Sequence, residues 1–286
     1  ELEGQGFELE GNHFVKGDQR YLPLYEAKMI HHYDHRFGDY ADLPEGSAST
    51  QLPEVPLERL RDPWYEPLPR YWVEEVELQG KQINSSSCFI GFRDITNTTN
   101  ERTVISNMIP YSAVGHTMPL ILFHQNLNRP TGLLVSLMNS FSLDWCAKQS
   151  IGGTHLTYGY LKQLPFITPC LFSEIIVEIE NPTARLGIKM SDYVNRLFLE
   201  LIYTSYSLQP FARELGYDGP PFIWDEERRF QIRCELDTLY FHLYLGTQAD
   251  WNSSQPSTPG QSSLADHFPT PRHAVDYIME SFPIVK

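Results

Sequence analysis

Six prolines fall between residues 44 and 69: Pro44, Pro53, Pro56, Pro63, Pro67 and Pro69. Each lacks a backbone N–H and fixes φ at about −65°, so neither a long helix nor an interior strand runs through such a stretch. With Ser47, Ser49 and Thr50 among the prolines, the pattern predicts a linker with little regular structure over 46–70. It sets an entry segment, 1–45, apart from the rest of the chain.

In the entry segment, residues 21–25 read as extended and aromatic, and Pro23 fits a sheet edge rather than a central strand. Past the linker the pattern turns to β. Strands are expected over 71–76, 88–95 and 102–109, with the turn formers of 96–101 between the last two. Gly91, in mid-strand, points to a bulge or a close approach by another part of the chain. Leu133, Leu134, Leu137, Phe141 and Trp145 share one helical face, so a helix is expected over 133–149, ended by Gly152 and Gly153, with a short strand over 154–160. Beyond Pro169 the chain reads as helical. Ser191 and Asp225 are the expected caps of two helices, and a last helix spans 272–281. Residues 252–263, rich in Ser, Pro, Gly and Gln, suggest a flexible insertion. The expected class is α+β: a β-rich domain over 71–165, then a mostly helical region over 166–286.

The 286 residues are 41% hydrophobic and 20% charged, a globular balance. The longest apolar run, 118–123, is far short of the roughly 20 residues of a membrane helix, so no membrane association is expected. The opening is acidic and unlike a signal peptide, and it lacks Met, as an excised piece of a longer protein would. Four widely spaced cysteines, Cys88, Cys146, Cys170 and Cys234, form no CxxC pair. Reduced thiols and a cytoplasmic setting fit them best. The net charge of −14 argues against a generic nucleic-acid coat. Its distribution is uneven, however. Residues 81–165 hold six Lys and Arg against three Asp and Glu, while both flanks are strongly acidic.

Several residue groups suggest chemistry. Asp18, Glu26 and Lys28 superficially fit a Mg2+-dependent nuclease, whose carboxylates hold the ion while a lysine faces the phosphate. The cluster His31, His32, Asp34 and His35 matches no firm ligand spacing and reads as a surface loop. Gly219-Pro220-Pro221-Phe222 resembles an amino-methyltransferase motif but lacks its amine-holding first residue. No glycine-rich strand-to-helix turn suits adenosylmethionine, and no Gly-x-Ser-x-Gly is present. Arg93 and Arg102 flank a polar turn. Arginine forks suit phosphate or guanine, and Asn97, Asn100 and Asn107 suit adenine edges. The alternative is a hairpin whose Arg93 pairs with Asp94 or Glu101.

Several blocks in order resemble the C-terminal part of bacterial DNA adenine-N6 methyltransferases. These are the long type IIG and related restriction–modification or phage-defence enzymes, including those of DISARM-like systems. The blocks are Leu22-Pro-Leu-Tyr-Glu-Ala-Lys-Met-Ile30 with His35-Arg36-Phe37, Gly91-Phe-Arg-Asp-Ile-Thr96, Asn100-Glu-Arg-Thr-Val-Ile105, Leu137-Met-Asn-Ser140, Gly152-Gly-Thr-His-Leu156, Gln163-Leu-Pro165 and Arg233-Cys-Glu-Leu-Asp237. The resemblance implies a non-catalytic piece, a TaqI-like specificity domain with a helical region after it. S-adenosylmethionine would belong to a missing N-terminal methylase domain, and no cofactor is expected in this chain. The implied partners are duplex DNA, that methylase domain and other defence-system subunits. The expected DNA contacts are Arg93, Asn97, Asn100, Arg102, Lys148 and Lys162, with Lys28 and Arg36 from the entry segment. The alternatives are an interaction module without base readout and the nuclease.

Overall fold

The computed structural model describes all residues except 45, 46, 48–50, 79–86, 124–129, 182–183, 254–263 and 284–286. The β-rich half runs β1 (Glu8–Glu10), β2 (His13–Lys16), β3 (Gln19–Tyr25), α1 (Leu57–Leu60), β4 (Trp72–Glu74), β5 (Cys88–Phe92), β6 (Ser106–Pro110), β7 (Ala113–Val114) and β8 (Leu120–Ile121). The second half runs α2 (Thr131–Met138), α3 (Phe141–Ser150), α4 (Tyr158–Leu161), α5 (Pro169–Glu174), β9 (Ile176–Asn181), β10 (Ala184–Lys189), α6 (Met190–Ile202), α7 (Gln209–Glu214), α8 (Glu226–Leu245), α9 (Gln248–Ser253), α10 (Leu264–His267) and α11 (Pro271–Glu280). The class is α+β, as the residue pattern suggests.

Strands β1, β2 and β3 form an antiparallel meander. Its turns pass through Gly11 and Gly17 at φ of 60° and 58°, a region that favours residues without Cβ. β3 then changes partners. Tyr21 to Pro23 pair antiparallel with β4, and Leu24 and Tyr25 pair parallel with β7. β2 reaches only as far as Tyr21. Pro23 therefore lies beyond the ladder on that side, which is how an interior strand accommodates it. The expected boundary between entry segment and β-rich domain is thus crossed by one five-stranded sheet.

β5 and β6 pair in register from Cys88↔Pro110 to Phe92↔Ser106, with β8 on the other edge of β5. Both strands are buried on both faces. Alternation sorts their side chains. Cys88, Ile90, Phe92 and Met108 join the main helical core. Phe89 and Ile109 join Tyr25, Met29, Ile30 and Met118 of a smaller core beneath the entry segment. Gly91 meets Met118, whose Cγ would stand 3.0 Å from an added Cβ, so close approach explains this glycine.

The Pro-rich stretch is packed where it is described. Val55 and Leu60 are buried against Trp224, and its carbonyls accept hydrogen bonds from the body of the protein. Prolines remove donors and leave acceptors, so such a stretch docks through its carbonyls when a donor is brought to it. The expected flexible insertion lies outside the described residues from 254 onward; Asn252 and Ser253 close α9.

Other expectations change in detail. The helix over 133–149 is two helices, because Ser140 caps α3 by accepting from the Leu143 N–H. The strand over 154–160 reduces to one bridge, Ile95↔His155, followed by α4, which Thr157 caps. The C-terminal region also contains the β9–β10 hairpin. Asp225 caps α8 as expected. Among the described residues, no helix is long and apolar enough to cross a membrane.

Candidate nucleic-acid interface

The connection from β5 to β6, residues 93–105, carries an exposed tip within the net-positive stretch. Its neck is held by one buried carboxylate. Asp144 on α3 accepts from the Thr103 N–H at 2.9 Å, the Val104 N–H at 2.6 Å and Arg102 Nε at 3.1 Å. Burial pushes the Asp144 carboxyl up, while Arg102 and the two amides pull it back toward the charged form. Thr96 Oγ1 donates to the Thr103 carbonyl at 2.6 Å and closes the neck.

The tip beyond this neck is ordered by its backbone and by the Asn97 side chain. Asn100 N–H donates to the Asn97 carbonyl at 3.0 Å, and the Asn97 carboxamide oxygen accepts from the Thr99 N–H at 3.0 Å. Lys148 on α3 donates to the Thr98 carbonyl at 3.2 Å and the Asn100 carbonyl at 3.0 Å, with its ammonium 4.7 Å from the Phe282 ring centre. Asn97 and Asn100 are exposed at this tip. Lys148 therefore props the tip, and its ammonium is already engaged by carbonyls and a ring.

Three expected DNA-facing residues are corrected by burial. Arg36 is 0% exposed. It donates to the carbonyls of Leu60, Asp62, Tyr65 and Thr204 and fastens the Pro-rich stretch. Arg102 is buried; it pairs with Asp144, donates to the Asn139 carbonyl and lies 4.1 Å from the Phe141 ring centre. Asn107 is buried in β6 and its carboxamide oxygen accepts from the Met108 N–H. Lys162 is exposed at the end of α4.

Lys28 and Arg93 come together at a cleft of about 640 Å3 that Glu26, His31, Phe37 and Ile95 also line. Arg93 pairs with neither Asp94 nor Glu101. Its Nε and Nη2 share the Ile30 carbonyl oxygen, and burial lowers its pKa to about 10. Lys28 lies 3.9 Å from Glu26, whose carboxylate also accepts from the Tyr40 hydroxyl. His31 is pushed down to about 3 by burial and nearby arginines, so it is neutral at physiological pH.

The nuclease triad does not assemble. Asp18 sits in the turn before β3 and Glu26 just after it. Eight residues of extended chain separate them by roughly 25 Å, too far to share an ion. The histidines part company too. His32 Nε2 meets the Val104 carbonyl and His35 Nε2 meets Ser205, and no group of three metal-ligating side chains occurs among the described residues. One pair escaped the residue pattern: His155 Nδ1 lies 3.0 Å from Asp94 Oδ2. Only the bridge between segments 60 residues apart brings them together, and no local signal announces it. Phe37 and Glu54 of the cleft were likewise missed for want of a spacing rule.

No protein-family model, curated protein or solved structure matches the chain.

Proposed function

We propose that this chain is the target-recognition segment of an adenine-N6 DNA methyltransferase of a restriction–modification or phage-defence system. It would hold duplex DNA for a catalytic domain that binds S-adenosylmethionine and extrudes the adenine. The observation that carries the reading is the 97–100 tip. It exposes Asn97 and Asn100 on a tip braced by Lys148, within the net-positive stretch 81–165. Carboxamides pair with adenine N6 and N7 in the major groove, while cations such as Lys162 set position on phosphates. The resemblance of the ordered sequence blocks supports the same reading.

The test is selection from a randomised duplex pool by the purified chain at stepped salt. An enriched motif, lost in an Asn97→Ala/Asn100→Ala double variant that still binds at low salt, is the expected result. No salt-dependent retention of any duplex would overturn autonomous recognition. A second reading, an interaction module of a defence complex, draws on the exposed side chains of Trp64 (71%), Ile223 (83%) and Phe230 (57%). Under it, DNA retention emerges in the same titration only after a partner subunit or the methylase domain is added.

A further inference from the structure

The cleft at Arg93 carries a combination that a phosphate contact alone does not require. Arg93 is a half-buried guanidinium that spends two nitrogens on a single carbonyl oxygen, and no carboxylate among the described residues pairs with it. A desolvated, uncompensated guanidinium is stabilised by an anion that matches its planar fork, and phosphate does so. Its guanidinium carbon is 5.7 Å from the centre of the Phe37 ring, and the His31 ring follows at 4.7 Å from Phe37. Neutral His31 extends this aromatic wall without adding charge. Two carboxylates complete the lining: Glu26, tied to Lys28 and Tyr40, and exposed Glu54. Carboxylates would repel a bare phosphate but accept hydrogen bonds from exocyclic amines. The volume of about 640 Å3 lies within the roughly 300–1,000 Å3 of small-ligand pockets.

We propose that this cleft takes a single nucleotide, with its phosphate on Arg93 and Lys28, its ring against Phe37 and its amino edge on Glu54. The inference rests on the DNA reading only for the source of that nucleotide, which is one extruded from a duplex rather than a free one. Ile95 stands 56% exposed at the lining and marks the mouth.

The experiment uses the full chain and two sets of probes. The first is dAMP, dGMP, dCMP, dTMP and inorganic phosphate, titrated by NMR. The second is a paired duplex and the same duplex with one unpaired 2-aminopurine, whose fluorescence reports its surroundings. The three amino-bearing nucleotides should bind about tenfold more tightly than dTMP, which lacks an exocyclic amine, and more tightly than phosphate. The unpaired duplex should exceed the paired one by a similar factor. Nucleotide binding should be lost in Arg93→Gln and in Ile95→Glu, the latter a change at a largely exposed side chain, and the preference for amino-bearing nucleotides should be lost in Glu54→Gln. If the paired duplex binds but neither preference exists, the nucleotide site is refuted and the DNA reading stands. If amino-bearing nucleotides bind through Arg93 but no duplex is retained, the site stands with a free nucleotide as its ligand and the DNA reading falls. If nothing binds, both fall.

Discussion

Arg36 shows what a charge does in the middle of this molecule. Four backbone carbonyls and the Thr204 hydroxyl accept from its guanidinium. Replacing it with Met would leave several buried acceptors unpaired, each worth about 1–3 kcal/mol. Arg36→Met should therefore lower unfolding stability by at least about 3 kcal/mol, read as the urea midpoint. Asp237 offers a pH test. Burial raises its carboxyl to about 6 against the pull of Arg102 and Arg233, and Asp144 adds to the rise. Between about pH 4 and 6 the folded state keeps a proton that the unfolded chain has released. Stability therefore falls as pH rises through that window. Asp237→Asn, which can still accept from the Phe141 N–H, should flatten that part of the stability curve; an unchanged difference between pH 4 and 6 would contradict it. Neither residue was legible in the sequence. An arginine between a histidine and a phenylalanine reads the same on a surface or in a core, and its burial depends on acceptors 24 to 168 residues away.

Elements were more legible where local chemistry decides them. Asp225 at the start of α8 and the β5–β6 pairing follow from capping preference and β-branched pattern. The α2–α3 break was not, because the apolar face continues across it while Asn139 turns to hold β6. The Asn139 carboxamide accepts from the Ser106 N–H at 3.0 Å and donates to the Ser106 carbonyl at 2.9 Å. Tertiary bonding thus overrides a helical period. Ser140→Ala removes the α3 cap and should cost about 1 kcal/mol in a denaturant titration, with the unfolding slope unchanged. Lys148→Met should leave global stability within about 1 kcal/mol. It should nonetheless speed amide exchange across the 97–100 tip, since only that prop is lost.

At the scale of the molecule, the division suggested by proline content gives way to shared sheets. β3 binds strands from both sides of the Pro-rich stretch, and Arg229 of α8 donates to the Tyr33 carbonyl, 196 residues away in sequence. A fragment of residues 71–286 would lose β1–β3 and half of the smaller core. It should show no cooperative thermal transition, whereas the whole chain should melt once; a sharply melting fragment would restore the independent-domain picture. The α+β class itself was legible because alternation and helical periodicity are local. How the two halves interlock was not, since it depends on pairings between distant segments.

Apart from the Asn97 side chain, the tip of the 93–105 connection is gripped by its main chain. Lys148 reads carbonyls rather than side chains, and Asp144 reads amides at the neck. Its scaffold is thus indifferent to most of what stands at positions 98 and 100. A family of such tips could diverge rapidly while the frame stays constant, and a laboratory library at these positions would vary specificity without renegotiating the fold.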